Sequence, residues 1–178
     1  MSLPDANGAD HKLLCFAVGG QTFGMPIDAV KETIEARPLT RLFLVPPFVA
    51  GLINLRGDVV AVLDLLALLG LPAAHKSPAR NIVILRARLL GGAAARDRAS
   101  ANRAAAGLLV DSLEGVRDVR AADVKPLPST LAAEPAAYLD GVVAFDMPPR
   151  PLIVIAPERV LGSERLRPFR RQNTKEAR

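Results

Sequence analysis

Side chains that could carry out catalysis are few and scattered in this 178-residue sequence. The two histidines, His11 and His75, lie in predicted loops with no spacing that would form a metal site. Cys15 is the only cysteine and stands inside an apolar strand, where a buried and inert thiol is the expected state. Phosphate-binding glycine loops and nucleophile motifs are absent from the sequence. We therefore expect a protein that is not an enzyme and that holds no metal and no cofactor.

Three aspartates occupy turn or capping positions rather than a shared site. Asp28 and Asp111 each follow a predicted strand, and Asp64 precedes a short apolar run that Gly70 ends. An aspartate at that point is best explained as the N-cap of a short helix, since its carboxylate can accept a hydrogen bond from a free backbone N–H. A structural role is expected for all three.

The most informative polar residues lie in the segment Gly-Leu-Ile-Asn-Leu-Arg-Gly-Asp over 51–58. Asn54 and Arg56 are the polar positions of an otherwise apolar strand, and alternation places them on the same face. Gly57 allows a tight hairpin turn after them. Two interpretations stay open. The pair is the solvent face of a strand, or Arg56 beside apolar side chains is an anchor for a protein partner.

The elements that must position these residues are short strands. Runs of four to seven residues rich in β-branched or aliphatic side chains alternate with turn residues. They predict nine strands, at 13–18, 22–27, 51–55, 59–63, 81–86, 107–110, 115–119, 139–145 and 152–155. Short helices are predicted at 65–69 and 157–161, each followed by a glycine. The predicted class is all-β with short helices.

An internal repeat organises these strands. The pattern Gly-x-x-Ile-Asp-x-Val over 24–30 recurs as Gly-x-x-Val-Asp-x-Leu over 107–113, and Phe-x-x-Gly over 48–51 recurs as Tyr-x-x-Gly over 138–141. Each second motif is followed by a hairpin and a short helix. The repeat predicts two similar lobes of about five strands, each closed into a small barrel and packed against the other.

The positive charge is concentrated in two segments. The net charge is +5, yet residues 86–105 carry +4 and residues 158–178 carry another +4, which leaves −3 for the rest. A nucleic-acid footprint should cover a folded face, and single-strand binders use exposed aromatic residues, of which this chain has few. A small-barrel nucleic-acid-binding protein is therefore the weaker alternative, which a salt titration of binding would test.

Four regions are predicted along the chain. Residues 1–12 form a flexible N-terminus, and residues 13–162 form the two-lobed domain. Residues 87–106 form a mobile, solvated Ala/Arg-rich insertion, because long loops are unusual in a compact domain. Residues 163–178 form a basic tail that frays or is disordered.

Cysteine content and hydropathy indicate the compartment. A single cysteine excludes an intramolecular disulfide and fits a reducing environment. The N-terminal residues lack the basic head and apolar stretch of a signal peptide. The most apolar run, at 59–74, is interrupted by Asp64 and is too short to span a bilayer. We expect a cytoplasmic protein with no direct membrane insertion.

One segment carries a family resemblance. Phe-Val-Ala-Gly-Leu-Ile-Asn-Leu-Arg-Gly-Asp-Val-Val-Ala-Val-Leu-Asp-Leu over 48–65 strongly resembles the hallmark of the CheW-like domain, the coupling protein of bacterial chemotaxis arrays. The resemblance extends over about 13–162 and includes the blocks 16–28, 30–34, 81–85, 107–119 and 138–141. The Ala/Arg insertion at 87–106 departs from the family, which usually has a short hairpin there.

The resemblance implies a fold and a function. It implies two intertwined five-stranded SH3-like barrels that share one core, related by the internal repeat. It also implies a non-catalytic adaptor, peripheral at receptor arrays, whose partners are the cytoplasmic tip of methyl-accepting receptors and the regulatory domain of the chemotaxis histidine kinase. Receptor contact in the family involves the groove between the lobes, which here implies partner-binding roles for the following residues: Val30, Glu32, Asn54, Leu55, Arg56 and Gly57.

Two points stay open within this interpretation. Arg56 either pairs with receptor acids or braces the groove. CheW-like adaptors also serve pilus-based surface motility and other kinase cascades, and the sequence does not separate these pathways from swimming chemotaxis.

Overall fold

The structure is a computed structural model that describes residues 10–71, 80–90, 104–144 and 151–166. The strands in these ranges are β1 (Asp10–Val18), β2 (Gln21–Pro26), β3 (Val30–Glu35), β4 (Val49–Leu55), β5 (Asp58–Asp64), β6 (Asn81–Arg86), β7 (Ala104–Val110), β8 (Ser112–Arg120), β9 (Val124–Lys125), β10 (Leu139–Val143) and β11 (Leu152–Ile155). The helices are α1 (Leu65–Leu69), α2 (Ala133–Ala136) and α3 (Pro157–Gly162). In the described part of the chain, no helix is long and apolar enough to cross a membrane.

The strands form two sheets, and one sheet is inserted into the other along the chain. The six-stranded sheet has the order β8-β1-β2-β11-β10-β9, and we call it the terminal lobe. The five-stranded sheet has the order β3-β6-β7-β5-β4 and is the inserted lobe. The chain crosses between lobes after β2 and returns after β7. The predicted class, mainly β with short helices, is confirmed.

The predicted internal repeat is confirmed by the strand order. When β8, β1, β2, β11 and β10 are matched with β3, β6, β7, β5 and β4, the two sheets have the same order. The paired motifs at 24–30 and 107–113 contain the two crossings between lobes. Each lobe also has one parallel pair at the matched position, β2 with β11 and β7 with β5.

The glycine of the second motif has the same steric reason in both lobes. A Cβ on Gly51 would lie 2.7 Å from the carbonyl oxygen of Thr40, and a Cβ on Gly141 would lie 2.5 Å from that of Lys125. Thr40 forms an isolated bridge to Leu52, whereas Lys125 belongs to β9 and pairs with β10. Both lobes therefore bring a neighbouring backbone against the same glycine.

The sequence pattern does not predict two of the strands, β3 and β9. β3 contains Lys31, Glu32 and Glu35, so its apolar alternation is weak, and β9 has only two residues. β9 also makes the terminal lobe six-stranded instead of five-stranded. Pairing with neighbouring strands, rather than local pattern, forms both elements.

Three apolar clusters hold the lobes. The inserted lobe has its own core around Ile53, Val62 and Ile82, and the terminal lobe has a smaller one around Cys15 and Val154. The largest cluster lies between the lobes and draws on both sheets; its members include Phe16, Phe23, Phe48, Val83, Leu108 and Tyr138. Since burial of each large apolar side chain is worth about 1.5–3 kcal/mol, this shared core joins the lobes into one unit.

The structure describes both ends of the predicted insertion, and both are folded. Residues Ala87–Leu90 form a 3-10 turn, and β7 begins at Ala104, so both ends of the 87–106 segment belong to the folded lobe. Ala87 and Ala104 are buried, which contradicts the expectation of a wholly solvated excursion. Residues 91–103 lie outside the described residues.

The start of the basic tail is also folded. Residues Glu164–Leu166 form a 3-10 turn with Leu166 buried. The Arg165 guanidinium lies 4.8 Å from the ring centroid of Phe48 and donates a 3.0 Å hydrogen bond to the carbonyl of Leu68. Arg165 was expected to be solvated; instead it lies across the shared core, where a cation over an aromatic face is stabilising.

Candidate partner-binding site

The Asn54–Gly57 segment forms a two-residue hairpin turn between β4 and β5. Leu55 pairs with Asp58, and the two turn residues, Arg56 and Gly57, have φ values of 54° and 93°. Positive φ at both positions is the type I′ pattern, whose twist matches that of the flanking strands. The Gly57 N–H donates a 2.8 Å hydrogen bond to Asn54 Oδ1. The Asn54 side chain thus stabilises the turn that follows its own strand, β4.

Arg56 and Glu32 form an ion pair across the inserted lobe. Arg56 Nη2 donates to Glu32 Oε2 at 3.0 Å, and Lys31 Nζ lies 4.0 Å from Glu32 Oε1. Glu32 is on β3 and Arg56 follows β4, and these strands are the two ends of the five-stranded sheet. The pair therefore ties the hairpin to the opposite edge of its lobe. Arg56 remains 79% exposed, so most of its donors face solvent.

Two of the predicted site residues are buried in different cores. Val30 belongs to the shared core and Leu55 to the core of the inserted lobe. They support the positions of Glu32 and Arg56 but present little surface. Asn54, Arg56 and Gly57 are exposed, and Glu32 is half-buried.

Val59 is an exposed apolar neighbour that the sequence pattern does not single out. It pairs with Asn54 across β4 and β5, so both side chains lie on one face of the hairpin. That face is continuous along β5 with Ala61 and with Leu63, which is buried in the shared core. Val59 is 47% exposed. The apolar surface thus extends from the shared core to the hairpin turn.

Leu113 and Val116 form a second exposed apolar pair, on β8 at the edge of the terminal lobe. The strand was predicted, but which of its faces is covered depends on the neighbouring strands. Alternation within 112–120 could have suggested Leu113 and Val116 only if a bulge opposite Cys15 and Phe16 had been known.

Comparison with known proteins identifies the family. A family model described as CheW-like domain matches residues 12–165. The chain belongs to the CheW-like domain family.

Several relatives match most of this CheW-like chain. It is 30% identical over 140 residues to the probable chemotaxis protein CheW of Rhizobium etli, covering 79% of this chain and 81% of the relative. It is 31% identical over 146 residues to the chemotaxis protein CheW of Rhizobium meliloti, covering 79% and 85%. Protein FrzA of Myxococcus xanthus is 34% identical over 135 residues, covering 75% and 74%.

A solved structure supports the fold. The scaffolding protein TtCheW from Thermoanaerobacter tengcongensis superposes with a TM-score of 0.64 at 24% identity, covering 83% of this chain and 90% of that one. The two lobes of this CheW-like chain are therefore SH3-like subdomains, as the resemblance implied.

Four further titratable side chains of the CheW-like domain lie in a strand, at a helix cap or in a turn. His11 lies in β1 rather than in a loop, and its Nε2 has no hydrogen-bond partner among the described residues. Burial raises the pKa of the Cys15 thiol above its usual value. Asp64 Oδ1 accepts a 3.0 Å bond from the Ala67 N–H and is the N-cap of α1, as predicted. Asp111 accepts a 2.8 Å bond from the Gly19 N–H. His75 lies outside the described residues.

Proteins of the CheW-like family are non-catalytic scaffolds.

Proposed function

We propose that this chain is a non-catalytic adaptor that couples the cytoplasmic tip of methyl-accepting receptors to the regulatory domain of a chemotaxis histidine kinase. The observation that carries the proposal is the hairpin held by Arg56 and Glu32 beside the exposed pair Asn54 and Val59. Family membership supplies the class of partner.

The surface at the hairpin suits a helical partner. Val59 offers apolar area, Asn54 lies directly across from it, and Arg56 offers guanidinium donors beyond the one that bonds Glu32. An amphipathic helix presents apolar side chains at intervals of three and four residues, with polar side chains at their border. The receptor tip would lay its apolar stripe against Val59 and place an acidic or amide group near Arg56.

The ion pair favours one of the two roles left open for Arg56. In the free protein its guanidinium is already bonded to Glu32. We therefore propose that Arg56 primarily braces the hairpin against β3 and keeps Asn54 and Val59 in position, with its free donors available to a receptor carboxylate.

A double-mutant cycle separates bracing from direct pairing. Arg56→Ala, Glu32→Gln and the double variant would be titrated against a purified receptor cytoplasmic fragment by calorimetry. If Arg56 braces, both single variants weaken binding and the double variant is little worse than either. Direct pairing instead predicts that Glu32→Gln leaves affinity unchanged and Arg56→Ala alone lowers it.

The test of the whole proposal uses both partners. The full chain would be mixed with the receptor fragment and, separately, with the kinase regulatory domain, and binding would be measured at physiological salt. We expect micromolar or tighter binding to each. Failure to bind either cognate partner would refute the adaptor role.

Val30 is not a suitable test position, because it is buried in the shared core. A Val30→Glu change would place an unpaired charge there and unfold the lobe boundary. Val59→Glu is the better test, because it places the charge on the exposed face of the hairpin beside Asn54 and leaves the cores intact.

A second candidate is an adaptor of a different kinase pathway, such as pilus-based surface motility. The identity to protein FrzA is 34%, compared with 30% and 31% to the two chemotaxis proteins of Rhizobium. Identification of the kinase and receptors that co-purify with the chain from native cells would decide between the pathways.

We also propose a cytoplasmic location at receptor arrays. A fluorescent fusion should form clusters that disperse when the receptors are deleted. Clusters that persist without receptors would contradict this location.

A further inference from the structure

The two most exposed large apolar side chains of the described residues are neighbours. Phe43 is 92% exposed and Leu44 is fully exposed, at the tip of the loop between β3 and β4. The other described Phe residues and the one Tyr are buried in the shared core. The hairpin site described above uses neither Phe43 nor Leu44.

The tip is fixed to the domain at both of its ends. Before it, Thr40 exchanges two backbone hydrogen bonds of 2.9 Å with Leu52. After it, the Val49 N–H donates a 2.9 Å bond to the carbonyl of Pro46. Leu42 and Val45, which flank the tip, pack against the shared core. The loop therefore holds Phe43 and Leu44 outward while their neighbours point inward.

Leu44 is also held in an unfavourable backbone conformation. Its φ is 59°, in the left-handed region that β- and γ-branched residues rarely occupy. Such conformations are found at ligand-binding positions, where the surrounding structure maintains them. Because the loop already holds these side chains in one conformation, less conformational entropy is lost when they bind to a pocket of matching shape.

The loop segment that carries the tip has charged residues of one sign. Residues 36–47 contain Arg37 and Arg41 and no acidic residue. Both arginines are exposed, and neither has an ion pair or side-chain hydrogen bond within the part of the chain that the structure describes. A partner that covers the tip would gain most if it offered carboxylates at the border of its pocket.

We propose that Phe43 and Leu44 form a docking knob that inserts into an apolar pocket on another protein, with Asp or Glu residues at the rim of that pocket facing Arg41 and Arg37. A bilayer fits less well, because insertion into fluid lipid needs no rigid tip and anionic lipid surfaces attract larger basic clusters than two arginines. A second copy fits less well too, because a symmetric contact through two side chains is far below the area of a stable dimer and would bring the arginines together.

Site-specific photocrosslinking in the native cells tests the occupant. The full chain would carry p-benzoylphenylalanine at position 43, with the same probe at Ser129, an exposed position of the terminal lobe, as the matched control. We expect one protein adduct specific to position 43, with the crosslinked peptide in an apolar region bordered by Asp or Glu. Adducts to lipid, to another copy of this chain or to no discrete protein would overturn the proposal.

Binding of the identified protein, once purified, completes the test. Phe43→Ser/Leu44→Asn should weaken binding by at least about tenfold, and Arg41→Glu should weaken it and be rescued by an Asp→Arg or Glu→Arg change at the pocket rim. Arg41→Glu should unfold at the wild-type temperature, since its side chain is exposed. The double variant should unfold at that temperature or slightly above it, because Asn tolerates the positive φ of position 44 better than Leu does. Wild-type affinity of the double variant would overturn the knob, and wild-type affinity of Arg41→Glu would overturn the acidic rim.

The knob is independent of the adaptor proposal. Arg56→Ala should leave the crosslink at position 43 unchanged, whereas it weakens receptor binding. Loss of the position-43 crosslink in Arg56→Ala would mean that the two surfaces are one site and would overturn the knob as a separate docking element.

Discussion

Arg56 occupies a position where another residue would fold more easily. At the first position of a type I′ turn Asn is strongly preferred, because it tolerates positive φ better than a long side chain does. The ion pair with Glu32 offsets little of this backbone strain, since the arginine is mostly exposed and exposed ion pairs contribute about 0–1 kcal/mol. The side chain thus makes only a small contribution to stability, which points to a role in binding.

Replacing Arg56 by Asn separates these two roles. We expect Arg56→Asn to leave the free energy of unfolding unchanged or raise it by up to about 1 kcal/mol, because relief of backbone strain offsets the lost ion pair. Affinity for the receptor fragment should fall by about tenfold. Urea unfolding and calorimetry measure the two quantities, and unaltered affinity would remove Arg56 from the site.

Cys15 provides a pH test of burial. The pKa of its thiol is raised because the low-polarity surroundings disfavour the thiolate. The folded state therefore keeps the proton at pH values where the unfolded chain loses it. Stability from this group is fully present below the unfolded thiol pKa and is lost as the pH rises toward the higher folded value.

The measurement is thiol reactivity, since the chain has one cysteine. We expect Ellman's reagent at pH 8 to leave folded protein unmodified and to label one thiol in urea. In Cys15→Ala the alkaline loss of stability should diminish relative to wild type. Rapid labelling of the folded protein would contradict the buried position.

At the scale of elements, α1 depends on its cap. Asp64 Oδ1 bonds the Ala67 N–H at the start of a helix of five residues, and Gly70 ends the helix with φ 65°. We expect Asp64→Ala to cost about 1 kcal/mol of unfolding free energy and Asp64→Asn much less, because Asn also caps well. Thermal unfolding of both variants checks this, and equal losses would show that the cap bond is not the cause.

Which elements could be predicted depended on whether their signal was local. Caps and turns such as Asp64 and Gly57 have a local signal, because a few neighbouring residues are enough to predict them. The charged strand β3 has no local signal, because its pairing with β6 maintains it. The contact between Glu32 and Arg56, and the exposure of Val59, depend on strand order and register, which a single sequence does not encode in any short window.

At the scale of the molecule, the two lobes should unfold together. The chain crosses between them twice, and the shared core takes side chains from both sheets. The turn at Gly19, in the terminal lobe, also packs against α1: a Cβ there would lie 2.5 Å from Leu66 Cδ1. Neither lobe can unfold without exposing the shared core, to which the other lobe also contributes.

This coupling predicts one transition whichever core is damaged. Ile82→Val in the core of the inserted lobe should cost about 0.5–1.5 kcal/mol, and Val154→Ala in the core of the terminal lobe about 1–3 kcal/mol. Each should shift a single urea transition. Circular dichroism follows the unfolding of both lobes. The fluorescence of Tyr138, the one tyrosine, follows the unfolding of the shared core. The two signals should coincide in each variant, because the damaged lobe cannot separate from its neighbour. Curves that separate in either variant would show that the shared core is too weak to join the lobes.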